Sequence, residues 1–292
     1  MKARRRIIIP FLLPSLLLIF IFFIMPAIQT IILSFQNWDG TFQTSVWVGF
    51  ENYRKIFKDP TFVKAIWHTF YYFIISTVIL FPVALFLAVS FSRLKRGRMT
   101  IQFLIFMPVT MSVTVAAVLW KWYVYDPNMG LWNNILRLFG MGRFSQAWLG
   151  NSKTAMTCII LMSIWHGVST WVIMIVAAMD RIPVTLSESA RLDGANEFQL
   201  FKYITFPLLW EVVSTLLILE FIGCMQQFPV VYAMTQGGPY GSTELMATYI
   251  YKMAFEGRKF SYGSAMAIVM AMIILVISMV GNKFLKTEPI EY

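Results

Sequence analysis

The sequence predicts an all-α integral membrane protein with six transmembrane helices and both termini cytoplasmic. Three observations predict it. The first is composition: of 292 residues, 58% are hydrophobic and only 13% charged, against roughly 25% charged in a soluble domain. A mean hydropathy of +0.68 leaves more apolar residues than one buried core can absorb. They need lipid as a second apolar solvent. A soluble enzyme and a disordered chain are both excluded. The net charge of +10 belongs in such a chain to topology and anionic headgroups, with no nucleic acid implied.

The second observation is span length. A crossing helix needs about 20 apolar residues, because each adds about 1.5 Å against a hydrocarbon core of about 30 Å. Uncharged runs cover 7–38, 65–92, 99–120, 154–179 and 260–282, and 207–232 has the length but carries Glu211 and Glu220. Trimmed to helices, the spans are approximately 10–35, 65–91, 101–122, 155–179, 207–232 and 261–282, in a single transmembrane domain, 1–292. The first run is too long for the 7–15-residue core of a signal peptide, and no clear small-residue cleavage site follows it, so it reads as an uncleaved anchor. Trp67, Tyr71, Tyr72, Trp120, Trp122, Tyr123 and Tyr125 cluster near expected boundaries, where amphipathic rings favour the interface.

The third observation is the distribution of cations. An even number of crossings puts both termini on one side. Lys2, Arg4, Arg5 and Arg6 precede the first span, and Arg93, Lys95, Arg96 and Arg98 fill the link between spans two and three. Neither group has an acid nearby. The opposite loops mix signs, as in Asp39, Glu51, Arg54, Lys55, Lys58 and Asp59. Short cationic segments stay cytoplasmic, so the termini do. Of the external loops, about 38–63, 121–153 and 236–259, the second carries a turn signal from Asp126 to Gly130 and then a short interfacial helix, Leu131–Leu138.

Chemistry-bearing motifs are sparse. The segment Gly150, Asn151, Ser152, Lys153, Thr154 lacks the glycine that a phosphate-binding loop has before its lysine. His68 and His166 lie on different spans and read as hydrogen-bonded interhelical residues; no metal site is expected. No nucleophile-elbow sequence appears, so no catalytic residue is assigned. Cys158 and Cys224 sit in apolar stretches and read as small packing residues.

Ionisable groups at membrane depth are costly and therefore candidates. Glu211 is within reach of the cytoplasmic interface. Glu220 falls near the midplane, Gln227 lies seven residues on along nearly the same face, and Gln226 sits beside it. That stripe suits a wet pathway for hydroxyl-rich solutes, or a polar link to a neighbouring helix. In span six Gly263, Ala267 and Ala271 repeat every four positions, a spacing that lets another helix come close.

The most informative segment is the cytoplasmic elbow, 181–206. Thr185 and Glu188 stand in capping-box spacing for a helix that starts near Leu186 and stops at Asp193 and Gly194. Asn196 caps a second helix, expected to run to about Tyr203, and Pro207 suits the first turn of span five. Arg181, Glu188, Arg191, Asp193, Glu197 and Lys202 decorate a rigid turn, with Leu186, Ala190 and Leu192 as apolar contacts. This is the pattern of a docking knob for a partner protein.

The same residues carry a family likeness. Glu188, Ala190, Asp193, Gly194, Ala195, Ile204 and Pro207 match the pattern E-A-A-x-x-D-G-A followed by I-x-L-P. The segment resembles the coupling loop of binding-protein-dependent ABC importer permeases, of the sugar type related to maltose and multiple-sugar permeases. Ser189 and Phe206 are mild departures. Further stretches are similar to that group: Val48 to Tyr53 with Phe57 to Pro60, Trp120 to Tyr123 with Asp126, Pro127 and Gly130, and Thr235 to Pro239 before Tyr249 to Tyr251.

The resemblance implies a type I ABC importer permease fold and import of a sugar, in a bacterial or archaeal cell membrane. It implies a second homologous permease, two ATPase subunits holding ATP and magnesium, and an extracytoplasmic solute-binding protein, with no cofactor on this chain. Glu188, Ala190, Asp193, Gly194, Ala195 and Pro207 would couple to the ATPase. Glu220, Gln226 and Gln227 are pathway candidates from depth and periodicity alone. The rival class is an ion- or proton-coupled carrier using Glu220, which leaves the elbow unexplained.

Overall fold

The computed structural model describes residues 12–38, 40, 45–92, 94 and 97–285, with Arg98 and Met99 as backbone only. The cations at 2–6, 93, 95 and 96, and Asp39, lie outside them. In chain order the elements are α1 (Leu12–Ser34), β1 (Gln36–Asn37), β2 (Val46–Trp47), α2 (Glu51–Ile56), α3 (Pro60–Ser92) and α4 (Arg98–Thr110). There follow α5 (Val113–Val124), α6 (Leu131–Leu138), α7 (Ala155–Met179), α8 (Val184–Leu192) and α9 (Glu197–Met225). Last come α10 (Pro229–Met234), α11 (Met246–Tyr251) and α12 (Phe260–Leu285). Five helices are long and apolar enough to cross a membrane, six if α4 and α5 are one bent span.

Two compact units contain these elements, 1–63 with 249–273 and 64–248 with 274–292. In the first, no described residue buries α1 along its apolar window, which is the kind of surface that lipid covers. Its end is pinned by Asn52, 6% exposed, whose amide donates to the carbonyls of Ser34 at 2.9 Å and Gln36 at 2.8 Å. The Ser34 carbonyl is among the four that a helix end leaves unpaired, and the Gln36 carbonyl lies two residues beyond it, in β1. β1 pairs antiparallel with β2, and Phe35 stacks on Trp47 with ring centroids 5.7 Å apart. The small-residue stripe begins as expected: a Cβ on Gly263 would meet Ala254 Cβ at 2.7 Å. It fades along the helix, with Ala267 half-buried and Ala271 exposed.

The second unit is organised around α7, which packs against α4, α5, α9 and α10. Ile159, Met162, Val172 and Ile175 on α7 are fully buried. Lipid tails are as apolar as these side chains, so close packing replaces the hydrophobic drive between crossing helices. Ala84, Ala88, Ala116 and Ala117, all 0% exposed, let the helices approach.

Two expected spans are not the simple rods that hydropathy suggests. Span three is broken at Met111 and Ser112, both extended, where α4 and α5 meet at 97°. Two α7 side chains serve the bent region: His166 Nε2 lies 3.1 Å from the Met111 carbonyl, and Ser169 donates to the Ile105 carbonyl at 2.5 Å. His166 thus joins α7 to the bend, whereas His68 on α3 reaches a loop and not a helix, its Nδ1 standing 3.1 Å from the Glu244 carbonyl. Span five ends at Met225, and α10 begins only at Pro229, so the expected helix to 232 is interrupted. Proline at the start of α10 supplies no N–H to continue the ladder.

A sharp turn precedes α6, which spans the residues expected of an interfacial helix. Asp126 Oδ1 accepts from the N–H groups of Asn128 at 2.9 Å and Met129 at 2.8 Å, which holds its carboxyl below the usual carboxylate range. Asn133, 1% exposed, donates to the carbonyls of Pro127 and Gln146 and accepts from Trp148 Nε1 at 2.7 Å. An Asn133→Leu variant should lose about 1–3 kcal/mol, the cost of orphaning these buried groups. The measurement is thermal unfolding followed by a thiol-reactive dye, because Cys158 and Cys224 are free and buried until the fold opens.

Candidate functional site: the elbow and the broken fifth span

The first arm of the elbow is α8. It starts at Val184, with Pro183 in the cap position and no side-chain cap, so the capping box expected of Thr185 and Glu188 does not form. The reason is register. Helical geometry begins two residues before Leu186, which places Thr185 inside the first turn. The stop is as expected. Gly194 takes φ +86°, Ala195 N–H donates to the Ala190 carbonyl at 2.9 Å, and Gly194 N–H donates to the Arg191 carbonyl at 3.1 Å. These two bonds are the Schellman pair that closes a helix on a left-handed residue.

The second arm begins with a complete capping box. Gln199 N–H donates to Asn196 Oδ1 at 2.9 Å, and Asn196 N–H donates to Gln199 Oε1 at 2.8 Å. It is not a separate short helix. The chain runs from Glu197 through a π turn, Phe201–Thr205, straight into the fifth span. Pro207 is therefore inside a continuous helix. A proline ring crowds the carbonyl four residues back, and the wider π turn relieves that contact. Pro26 in α1 follows a π turn, Phe20–Ile24, in the same way.

Across the turn Arg191 Nη2 pairs with Glu197 Oε1 at 2.9 Å. Both side chains are more than half exposed, so the pair is worth about 0–1 kcal/mol; the backbone bonds hold the angle. Ala190, Asp193, Gly194 and Ala195 line one shallow recess with Gln199, Leu200, Tyr203 and Ile204. Four of the six expected coupling residues are thereby brought together. Glu188 is exposed on α8, with no ion-pair partner among the described residues, and Pro207 lies lower on α9. Leu192 at 89% and Phe198 at 71% exposure leave apolar side chains bare on this connection. Phe198 was not legible as such from the sequence, since its exposure depends on how the capped helix rotates.

The polar stripe lies around the end of α9. Cys224 Sγ, one helical turn on, donates to Glu220 Oε1 at 3.4 Å, and buried Trp171 of α7 lies beside that carboxylate. Ser76 Oγ on α3 is 3.7 Å from Cys224 Sγ. Gln227 Nε2 donates to the hydroxyl of Tyr72 on α3 at 3.1 Å. Gln227 is thus tied to α3, while Glu220 is bonded within its own helix. Gln226 is exposed, and so is Glu211.

One buried acid escaped the sequence reading because it sits in a loop. Glu244, 5% exposed, lies under Gly237, where φ is +81° and a Cβ would meet the carboxylate at 2.4 Å. The run of glycines before Pro239 was the available signal.

Replacing Gly194 by alanine should strain the left-handed stop by about 1–2 kcal/mol. Asparagine, which tolerates that conformation, should cost less. Proteolysis at Arg191 and Lys202 under native conditions reads the difference, with faster cleavage expected for alanine than for asparagine.

Comparisons with known proteins agree with this geometry. The family model described as the binding-protein-dependent transport system inner membrane component matches residues 80–286. "Probable ABC transporter permease protein YurN" of Bacillus subtilis (strain 168) is 33% identical, covering 96% of this chain and 97% of its own. The sn-glycerol-3-phosphate transport system permease protein UgpA of Escherichia coli (strain UTI89 / UPEC) is 31% identical, covering 96% and 95%. A crystal structure of a bacterial ABC transporter involved in the import of the acidic polysaccharide alginate contains a chain 25% identical, with a TM-score of 0.86 over 97% of this chain and 96% of that one. The fold is that of a type I ABC importer permease, in a multi-pass membrane protein. This chain belongs to the family of binding-protein-dependent ABC transporter permeases, the inner membrane components of those systems.

Proposed function

We propose that this chain, acting as one domain over 1–292 with both termini cytoplasmic, forms half of the translocation pathway of an ATP-driven importer for a sugar or oligosaccharide. The observation that carries the coupling role is the elbow: a rigid, capped, mixed-charge turn with bare apolar side chains, continuous with a membrane-crossing helix. Its partners are two ATPase subunits, which bind and hydrolyse ATP with magnesium, a second homologous permease, and an extracytoplasmic solute-binding protein. The host membrane is the cell membrane of a bacterium or archaeon.

In this mechanism the recess around Ala190, Asp193, Gly194 and Ala195 seats on the ATPase, and Glu188 offers a charge to it. ATPase closure moves α8 and the start of α9 together, because the Schellman turn and the capping box fix their angle. The displacement travels along α9 past Pro207 to the break at Gln226. There Gln226 faces the solute, while Gln227 holds the break against α3 and Glu220 lies beside α7. Relatives that carry sn-glycerol 3-phosphate or alginate support a hydroxyl-rich solute.

The test is a detergent pull-down of the tagged chain from its native membrane, wild type against Gly194→Asp. Co-purification of an ATPase and a second permease with wild type, and loss of the ATPase alone from the variant, is the expected result. A chain that purifies without any ATPase under gentle conditions sinks the reading. Two substitutions then separate roles along α9. Gln226→Ala should raise the solute concentration for half-maximal uptake about tenfold, the loss of one or two hydrogen bonds, with the assembly intact. Glu220→Gln should leave uptake dependent on ATP.

A further inference from the structure

The first unit contains a polar cleft of about 420 Å³ that the transport reading does not use. Its floor is Asp59. Oδ1 accepts from the N–H groups of Thr61 at 2.9 Å and Phe62 at 3.2 Å, and Oδ2 accepts from Tyr249 at 2.9 Å and Tyr262 at 3.0 Å. Four donors on two oxygens turn the acid inward and fix two tyrosine rings as walls. Trp38 closes a third side, its backbone N–H donating to Ser261 Oγ at 3.0 Å. Asn52, also in the lining, has spent both amide hydrogens on the Ser34 and Gln36 carbonyls.

The rim is cationic. Lys55, Arg258 and Lys259 all face the cleft. Lys55 shares Glu51 at 2.7 Å in an exposed pair that water or another anion readily replaces. Arg258 and Lys259 have no ion-pair partner among the described residues. Arg258 holds φ +52°, a left-handed backbone that residues with a Cβ rarely adopt. Strain of this kind persists where the surroundings over-determine it, commonly at ligand sites.

Position narrows the ligand. Trp38 follows the end of α1 and Lys259 immediately precedes α12, so the cleft sits where two crossing helices leave the hydrocarbon. That is headgroup depth, where aromatic rings and cations meet lipid phosphates. Arginine's planar fork matches phosphate oxygens two at a time, and lysines add point charge.

We propose that this cleft binds a glycerol-linked phosphate, with the anion on Lys55, Arg258 and Lys259 and the glycerol carbons against Trp38 and Tyr249. Two sources supply that chemistry: the headgroup of an anionic phospholipid, and free sn-glycerol 3-phosphate. The site does not depend on the coupling role of the elbow, and its test leaves that role untouched.

The experiment uses the transporter purified in detergent with its partners, as wild type and as Lys55→Gln/Arg258→Gln/Lys259→Gln. Native mass spectrometry counts retained phosphatidylglycerol against phosphatidylcholine, and equilibrium dialysis measures radiolabelled sn-glycerol 3-phosphate. Wild type should bind one of these anions, and the triple variant should bind it at least about tenfold more weakly, as expected for three lost cations near a surface. Phosphatidylglycerol alone names the lipid source, and sn-glycerol 3-phosphate alone names the solute. Equal retention by wild type and variant, or no preference for phosphatidylglycerol together with no binding of sn-glycerol 3-phosphate, overturns the proposal. The substituted side chains are exposed, and an unchanged thiol-dye melt verifies the fold. If the triple variant melts early, Arg258→Gln alone, against a rescuing Arg258→Lys, replaces it in the same measurements.

Discussion

Every backbone N–H and C=O inside a bilayer must find a partner within the protein, and the fold follows from that constraint. It forces long helices, and it decides where they can break. The break at Met111 and Ser112 is tolerated because α7 brings His166 to the exposed carbonyl and Ser169 to the turn before it. The break after Met225 is flanked by Gln227, whose side chain is anchored on Tyr72. Asn52 does the same for the end of α1. At Met111 and at the end of α1, polar side chains from elsewhere in the chain serve the irregular backbone.

Prolines are placed under the same constraint. Pro26 and Pro207 each follow a π turn, where a widened helix accommodates both the ring and the missing donor. The consequence at Pro207 is mechanical. Because the helix is not severed there, the second arm of the elbow and the fifth span are one body from Glu197 to Met225. A Schellman turn precedes this helix at one end and the ladder is interrupted at the other.

How legible this was depends on the range of the interaction. The Gly194 stop and the Asn196 cap were readable because both are settled within six residues by local hydrogen bonds. Leu131–Leu138 was readable from the turn signal that precedes it. The Thr185–Glu188 box was misplaced because helix starts shift by a residue or two without changing the pattern. The bend in span three left no trace in hydropathy: residues 99–120 are uniformly uncharged whether the helix is straight or turned through 97°.

By itself the sequence determined the class, the crossings, the elbow and the family likeness, since each rests on composition, period or short-range caps. Tertiary structure alone decided which polar groups meet. Glu220 faces Trp171, Gln227 faces Tyr72, and Asp59 gathers two tyrosines about 190 and 203 positions away. Such pairings depend on how helices rotate against one another, and a uniformly apolar helix carries no periodic signal to announce its rotation. The charge of Arg258 and Lys259 is visible in the letters; that they share a cleft with Lys55 is a property only of the folded chain.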